Sequence, residues 1–460
     1  MPKDIEKTLI SKIIFFLLCA GIVVTALIYG TVHQPTIALF YIMTAVVTVL
    51  WAIDAFKTGF FRFNRSLVQL PLIGTVLYAL IQIIPFGTRP PTGGVEGIGR
   101  TISLEPFWTQ MFALHFFAFF LILAASLTYF DSARRLRKMT TLITIFGFAF
   151  AFFAILQAVL SPTKIYGIYE TEFAQPFGAF VNRHNFAAYM EMTIAVPLGL
   201  IFAGAVHRDK RLIYLTAVGL MGIALILSGS RGGLVSLLAE VVFILILTNR
   251  AHGTTRTVWK LALAGLLLAV VIGGAILIGG ESSLTRIAET AGSNNITTNR
   301  THIWNVTLKV IGNNFPFGAG IGAFAAAYTP YDTMNGIERV EQAHNDYLQI
   351  LADAGLIGLG LAGFFVYSLF RTGLQSVRTD NIFRRGVAVG ALAGCFAILV
   401  HSLFDFVLHT TAITFLFLTL TALVVTAGAS YPDDEQIFER RRHKKANVTP
   451  IREKRRENKE

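Results

Sequence analysis

The hydrophobic positions of this chain form long uninterrupted runs, whereas a soluble protein shows alternating or one-faced patterns. A helix needs roughly 20 apolar residues to cross the hydrocarbon core of a bilayer. Runs of about that length cover residues 10–29, 36–53, 67–84, 108–129, 141–160, 186–205, 212–228, 233–248, 261–279, 354–370, 387–406 and 411–428. The pattern predicts an all-α polytopic membrane protein with about 12 transmembrane helices in a bundle over residues 1–430.

Composition supports this fold class. Of the 460 residues, 54% are hydrophobic and only 14% are charged, which fits a chain whose exterior contacts lipid. In lipid every backbone polar group needs an internal partner, so helices and closed barrels are the structures that span a membrane. The short alternating segments of a barrel are missing from the sequence, and helices are therefore expected.

The connections between the apolar runs differ in charge on alternate sides. Those near Lys57, Arg134 and Arg208 are rich in Lys and Arg, whereas segments 30–35 and 407–410 contain neither. Basic loops remain on the cytoplasmic side of a membrane. Both termini are therefore predicted to be cytoplasmic, and the loops with few basic residues are predicted to be periplasmic.

Residues 431–460 form a predicted basic cytoplasmic tail. From Phe438 onward it holds ten Lys or Arg against four Glu. Such a run is typical of a nucleic-acid arm or of a juxtamembrane tail near anionic lipid. Because no aromatic residues alternate with these charges, membrane lipids are the predicted partner and nucleic acid is not.

The longest hydrophilic stretch, residues 280–353, falls on the predicted periplasmic side and is long for a passive connection. Residues Thr301 to Ile311 have apolar side chains at helical spacing. A second helical pattern begins near Ile337 and continues into the next membrane span. We expect a large periplasmic loop that forms a helical extracytoplasmic cap docked on the bundle.

Two arginines on the predicted periplasmic side are candidates for binding phosphate. Arg231 lies in SGSRGG, residues 228–233, a tight turn whose backbone N–H groups can form an anion-binding nest. Its planar guanidinium suits phosphate, although an arginine here could instead cap helix carbonyls. Arg300 precedes the loop helix and would be a solvated surface residue if taken alone. Together the two could bracket a diphosphate.

A candidate base lies in AHNDYLQILADAGLIG, residues 343–358. His344 is predicted where the loop helix meets the membrane, and a neutral imidazole accepts a proton near pH 7. Glu341 comes one helical turn earlier and is expected to orient the ring. Alternatively, His344 and Asp346 are interfacial polar residues that face water.

Asn182, His184 and Asn185 lie in GAFVNRHNFAAYMEM, residues 178–192, at the periplasmic start of a span. They could hydrogen-bond sugar hydroxyls, or one of them could cap the helix. Three residues of the preceding loop are further candidates for carbohydrate contact, namely Tyr169, Glu170 and Glu172.

The segment HSLFDFVLHT, residues 401–410, places His401 and Asp405 one turn apart near the end of a span. Ionisable residues within spans often mark function, but this pair could also lock two helices together. Glu191 and Glu240 allow the same two interpretations.

No metal-ligand spacing, P-loop, dinucleotide fingerprint or nucleophile elbow occurs in the chain. Neither a metal nor a cofactor is therefore predicted. A group transfer on the periplasmic side would need a donor that arrives already activated.

Five segments in order resemble the O-antigen ligase and O-antigen polymerase superfamily. They are FVNRHNFAAYMEM, SGSRGG, R-x-x-x-W followed by PFGAGIGAF, AHNDYLQILADAGLIG and HSLFDF, and the O-antigen ligase-like region covers about residues 175–425. The resemblance implies a GT-C-like, metal-independent glycosyltransferase of the bacterial inner membrane. Its donor would be an undecaprenyl-diphosphate-linked glycan, and its acceptor a hydroxyl of the lipid A core or of another glycan. It also implies that Arg231 and Arg300 bind the diphosphate and that His344 is the catalytic base.

Two other classes remain open. A secondary transporter often has twelve spans, but it binds substrate near the bilayer midplane, at broken helices in matching halves. This chain shows no convincing internal repeat, and its conspicuous polar residues cluster on the predicted periplasmic side. A non-catalytic scaffold of cell-envelope assembly would keep its function after substitution of Arg231 or His344.

Overall fold

The computed structural model describes residues 8–88, 96–97, 99–171, 174–249, 258, 260–267, 269, 273, 300–333 and 339–429. The predicted basic tail, Glu172 and most of the apolar run 261–279 lie outside these residues.

Helices account for most of the described residues, joined by one small hairpin. The elements are α1 Leu9–Leu27, α2 Gln34–Thr58, α3 Leu70–Gln82, α4 Pro106–Tyr129, α5 Ala133–Leu160, β1 Lys164–Ile165, β2 Tyr169–Glu170, α6 Arg183–Phe202, α7 Arg208–Leu227, α8 Arg231–Asn249, α9 Arg300–Asn313, α10 Phe324–Tyr328, α11 Asp346–Ser376, α12 Ile382–His401 and α13 Thr411–Gly428.

The prediction of an all-α polytopic membrane protein is confirmed. Ten helices in the described part of the chain are long and apolar enough to span a membrane. The predicted run 67–84 forms a shorter apolar helix, Leu67–Gln82. The run 261–279 is described at its beginning, where residues 261–267 are helical.

Three helices form the centre of the bundle. The apolar stretch of α6 is completely buried inside the protein. The apolar stretches of α13 and α12 are 89% and 72% buried, whereas that of α2 is only 22% buried. The backbones of α6 and α12 approach closely, since a Cβ added to Gly199 would lie 2.3 Å from the backbone nitrogen of Gly390. Small residues permit such contacts between membrane helices, so these glycines fix the central helix pair.

A cap packs on one face of the bundle, as predicted, and we call this the cap face. Its own small core contains Val306, Val310, Phe324 and Tyr328 of helices α9 and α10. The segment PFGAGIGAF, residues 316–324, then docks the cap against a break in α11 at Gly355, whose φ is +58°.

Backbone hydrogen bonds satisfy this break. The Leu356 N–H donates to the Pro316 carbonyl at 2.9 Å, and the Ala319 N–H donates to the Ala352 carbonyl at 2.8 Å. A Cβ on Gly355 would lie 2.0 Å from the Pro316 oxygen. Only glycine allows both this conformation and this approach, so the motif glycines join cap and membrane bundle.

One prediction about the cap is wrong. The second helical pattern was expected to begin near Ile337, which lies outside the described residues, and to continue into the next span, but residues 339–345 are not helical. Helix α11 begins at Asp346, where the Asn345 side chain accepts hydrogen bonds from the Tyr347 and Leu348 N–H groups. Asn is a favoured N-cap residue because its side chain satisfies these otherwise unpaired N–H groups.

Candidate functional site

Asp405 is the centre of a polar cluster on the cap face. Arg300 Nη2 donates to Asp405 Oδ2 at 3.0 Å, and His344 Nδ1 lies 3.3 Å from Oδ1. His184 Nδ1 lies 3.9 Å from Oδ2. Arg300 Nη1 also donates to the Phe404 carbonyl. One carboxylate thus gathers side chains from α6, α9 and the segment before α11.

These partners set the charge of Asp405. Its burial alone would raise the carboxyl pKa, but the hydrogen bond to His344 and the positive charge of Arg300 outweigh burial and hold that pKa well below its usual range. Asp405 therefore remains ionised at neutral pH. An ionised carboxylate accepts only, so we assign the Nδ1 proton of a neutral His344 to this bond, which leaves the Nε2 lone pair as a base.

The consecutive residues His344, Asn345 and Asp346 each contact a different residue of the segment 402–405. His344 contacts Asp405, and the Asn345 amide donates to the Leu403 carbonyl at 2.9 Å. The Asp346 carboxylate accepts from the Ser402 hydroxyl at 2.7 Å. His344 adopts a φ of +50°, which is uncommon and costly for a non-glycine residue. The neighbouring contacts hold this conformation.

Helix α9 contributes two residues to the same region. Arg300 and Trp304 are four residues apart, so they project from one helix face. The Trp304 indole N–H donates to the Ala343 carbonyl, next to His344, at 3.0 Å. The R-x-x-x-W spacing thus lets α9 contact both Asp405 and the backbone beside His344. We did not predict a role for Trp304, although its spacing from Arg300 was a visible signal.

The SGSRGG turn lies beside His184. Ser230 Oγ is 3.0 Å from His184 Nδ1 and accepts from the Gly233 N–H at 3.2 Å. A Cβ on Gly232 would lie 3.0 Å from the His401 ring, so the turn packs directly against the end of α12. Arg231 follows Ser230 as the first residue of α8, and its side chain is exposed. The turn places it on the cap face with Arg300 and His344.

The three residues at the start of α6 that were predicted to contact sugar have different surroundings. Asn182 is the N-cap, accepting from the His184 N–H at 2.8 Å, so the capping interpretation is confirmed for this residue. Asn185 is buried, with 7% of its surface exposed. His184 instead points to Asp405 and Ser230. A contact of these residues with sugar remains a prediction.

Glu341 does not orient His344 as predicted. It lies in the non-helical segment 339–345 and is exposed, and the ring contacts Asp405 instead. The i, i+3 argument failed because it required a helix that does not form.

His401 and Asp405, which the sequence placed one turn apart, have different side-chain partners. His401 Nδ1 lies 3.1 Å from a Glu191 carboxylate oxygen, and both side chains are fully buried. This pair locks α12 to α6. Both oxygens of the buried Glu240 have no hydrogen-bond partner in the described part of the chain.

A second pair, of a half-buried histidine and a buried carboxylate, stabilises the segment that carries Asp405. His409 Nδ1 lies 3.2 Å from Asp346 Oδ1. Although burial alone would lower the His409 pKa, the hydrogen bond and the charge of Asp346 raise it above its ordinary value of 6.5. The sequence did not single out His409, because its partner is 63 residues away.

This pair predicts a pH dependence of stability. A raised folded-state pKa means that folding favours the protonated ring, so the stabilisation is complete below about pH 6.5 and is lost as pH rises through the folded-state pKa. We expect the apparent melting temperature in detergent to fall over that range in the wild type, and to fall less in His409→Gln. His207→Gln, at an exposed histidine, is the matched control. An equal fall in both variants would contradict the assignment.

We call His184, Ser230, Arg231, Arg300, His344 and Asp405 the cap-face cluster. It combines two guanidinium groups, which suit a phosphate-bearing leaving group, with an imidazole held by an ionised carboxylate. Among the residues that the structure describes, no group of three or more His, Cys, Asp or Glu is arranged to hold a metal ion.

Comparison with known proteins assigns the middle of the chain. No curated protein matches the sequence. The family model described as "Wzy_C: O-Antigen ligase" matches residues 216–363, a span that contains Arg231, Arg300 and His344. This match, together with the many membrane-spanning helices, supports the resemblance of the chain to the O-antigen ligase superfamily.

Proposed function

We propose that this protein transfers a glycan from undecaprenyl diphosphate to an acceptor hydroxyl at the periplasmic face of the bacterial inner membrane. The acceptor is a sugar of the lipid A core or of another lipid-linked glycan, which corresponds to a ligase or a polymerase. Both termini are cytoplasmic and the cap is periplasmic in this proposal. The single observation that supports it most is the convergence of Arg300 and His344 on Asp405.

The chemistry follows from the charges of the cluster. His344 Nε2 takes the proton of the acceptor hydroxyl while that oxygen forms a bond to the anomeric carbon. The bond from the anomeric carbon to the diphosphate oxygen breaks, and its electron pair remains on the diphosphate. Arg231 and Arg300 stabilise this developing charge, without a metal ion or a cofactor. Attack opposite the leaving group inverts the anomeric centre.

Arg300 can serve in this way while it is bound to Asp405. A guanidinium carries five N–H groups, so it can hold the Phe404 carbonyl and Asp405 and still present N–H groups to an anion. The contact with Asp405 orients the group before substrate binds. Such preorganised charge stabilises a transition state more than a mobile side chain does.

The break in α11 does not favour a transporter. Transporters use the backbone groups of broken helices to bind ions or substrate. Here the residues around Gly355 are paired with the backbone of the Pro316–Gly320 segment of the same chain. The break therefore docks the cap.

In vitro transfer tests the proposal. The purified full chain in proteoliposomes is given a defined undecaprenyl-diphosphate glycan and, separately, lipid A core or a second lipid-linked glycan. We expect one acceptor to gain the mass of the glycan, in the presence of EDTA and without ATP. Absence of product from folded protein with both acceptors would contradict the proposal, and solute uptake by the same vesicles would support a transporter.

A further inference from the structure

A cavity of about 650 Å³ lies beside the cap-face cluster. It is lined by residues at the end of α5, in the loop around the β1–β2 hairpin, at the start of α6 and at the end of α7. Its volume falls within the range of about 300–1,000 Å³ that is usual for small-molecule sites. The mechanism above does not use this space.

The described walls of the cavity combine apolar residues, such as Val159 and Phe177, with hydroxyl, amide and charged side chains. They include Glu170, Thr171, Gln175, Arg183 and Ser228. Each hydroxyl of a sugar both donates and accepts hydrogen bonds, and carboxylate, amide and guanidinium groups supply the matching partners. A wall of this kind suits a carbohydrate better than the apolar lipid chains that surround the bundle.

The SGSRGG turn separates the cavity from the cap-face cluster. Ser228 lines the cavity, whereas Ser230, two residues on, contacts His184. Arg183 lines the cavity as well, and its Nη1 lies 3.6 Å from the position of a Cβ on Gly229. A chain of sugars in the cavity would therefore lie against the SGSRGG turn, which also holds Arg231, one of the residues that we assign to the diphosphate.

The hairpin wall is anchored at several points. The Gln157 amide donates to the Gly178 carbonyl at 2.6 Å and accepts from the Tyr166 N–H at 2.9 Å. The Tyr166 hydroxyl donates to the Leu27 carbonyl at the end of α1. The Tyr169 ring packs on Tyr29, with the ring centroids 4.9 Å apart. These contacts hold the described part of the hairpin wall against α1 and α5.

We propose that this cavity binds sugar units of the transferred or the receiving glycan. The proposal rests on the proposed function and assigns the glycan a site separate from the diphosphate. Donor and acceptor are both carbohydrate, so the experiment below distinguishes which of them occupies it.

The first test fills the cavity. Ala158 lines it near the end of α5, and Ala149 lies on the same helix with an exposed side chain. Ala158→Phe is compared with the matched control Ala149→Phe. The probe is the glycan released from its lipid, titrated calorimetrically into the full chain in detergent. We expect binding to weaken at least about 10-fold in Ala158→Phe, which is 1.4 kcal/mol, and to be unchanged in the control.

Transfer kinetics identify the glycan. A raised KM for the donor with little change in kcat assigns the cavity to the transferred glycan, and a raised KM for the acceptor assigns it to the receiving one. Equal glycan binding and equal KM values in Ala158→Phe and Ala149→Phe would overturn the inference, even if transfer itself is normal. Because the titration needs no turnover, it tests the cavity independently of whether the proposed function holds.

A second variant guards against misfolding. Gln175 is exposed and lines the cavity, and its backbone carbonyl accepts from the Arg183 N–H. Gln175→Ala removes only the side-chain amide. We expect weaker glycan binding than in Gln34→Ala, which changes an exposed glutamine at the start of α2. Equal binding in these two variants would also count against the inference.

Discussion

Replacing His344 with alanine is expected to lower the rate of glycan transfer by about 10²–10⁴-fold, the usual contribution of a general base. The imidazole is the group that takes the acceptor proton, and Asp405 holds its Nδ1 3.3 Å away. The diphosphate contacts come from Arg231 and Arg300, so the KM for the donor should change little. Single-turnover transfer from a lipid-linked glycan measures the effect.

The control for this prediction is His207→Ala. His207 pairs with Asp209 just before α7, and its side chain is 77% exposed. Its replacement should leave transfer at the wild-type rate. A near-normal rate in His344→Ala, with protein that is folded and binds donor, would remove the base assignment.

Substitution of Asp405 by asparagine is expected to lower transfer by about 10²-fold or more. The change keeps the shape of the side chain but removes the charge that orients Arg300 and fixes the proton on His344 Nδ1. Small misplacements of reacting groups alone cost about 10²-fold. We also expect a smaller loss when His344 is already replaced by alanine, because residues that act as a unit show non-additive effects.

The double variant separates this positioning role from a purely structural one. A variant that is merely less stable would lose the same factor of rate with and without His344. Asp209→Asn, at a side chain that is 83% exposed, is the matched control and should not change the rate in either background. An equal loss in both backgrounds, or a rate close to that of the control, would show that Asp405 does not act through His344.

The membrane architecture followed from the sequence because spanning lipid requires long apolar helices whatever their neighbours are. Apart from 261–279, most of which lies outside the described residues, the runs from 10–29 to 411–428 and the helical cap were found in this way. Helices α5 and α11 each begin eight residues before the predicted run. The cap face was likewise predictable as the side that holds Arg231, Arg300 and His344. The family motifs provided these three residues and their order.

The partners of these residues could not be predicted from the chain. Asp405 is 61 residues from His344 and 105 residues from Arg300, and no local rule connects such distances. Local reasoning chose Glu341 because it assumed a helix, but Asn345 caps α11 and leaves the preceding backbone non-helical. The cavity beside the SGSRGG turn was equally hidden, because its walls come from four separate elements.

The sequence alone therefore determined what the bilayer and local helical geometry impose, namely the fold class, most of the spans and the polar face. Tertiary structure decided which carboxylate pairs with which cation, where α11 breaks and where the cavity lies. The physical reason is the distance along the chain over which each effect acts. Burial in lipid acts on each segment separately, whereas hydrogen bonds at the site join segments that meet only after the bundle and its cap have packed.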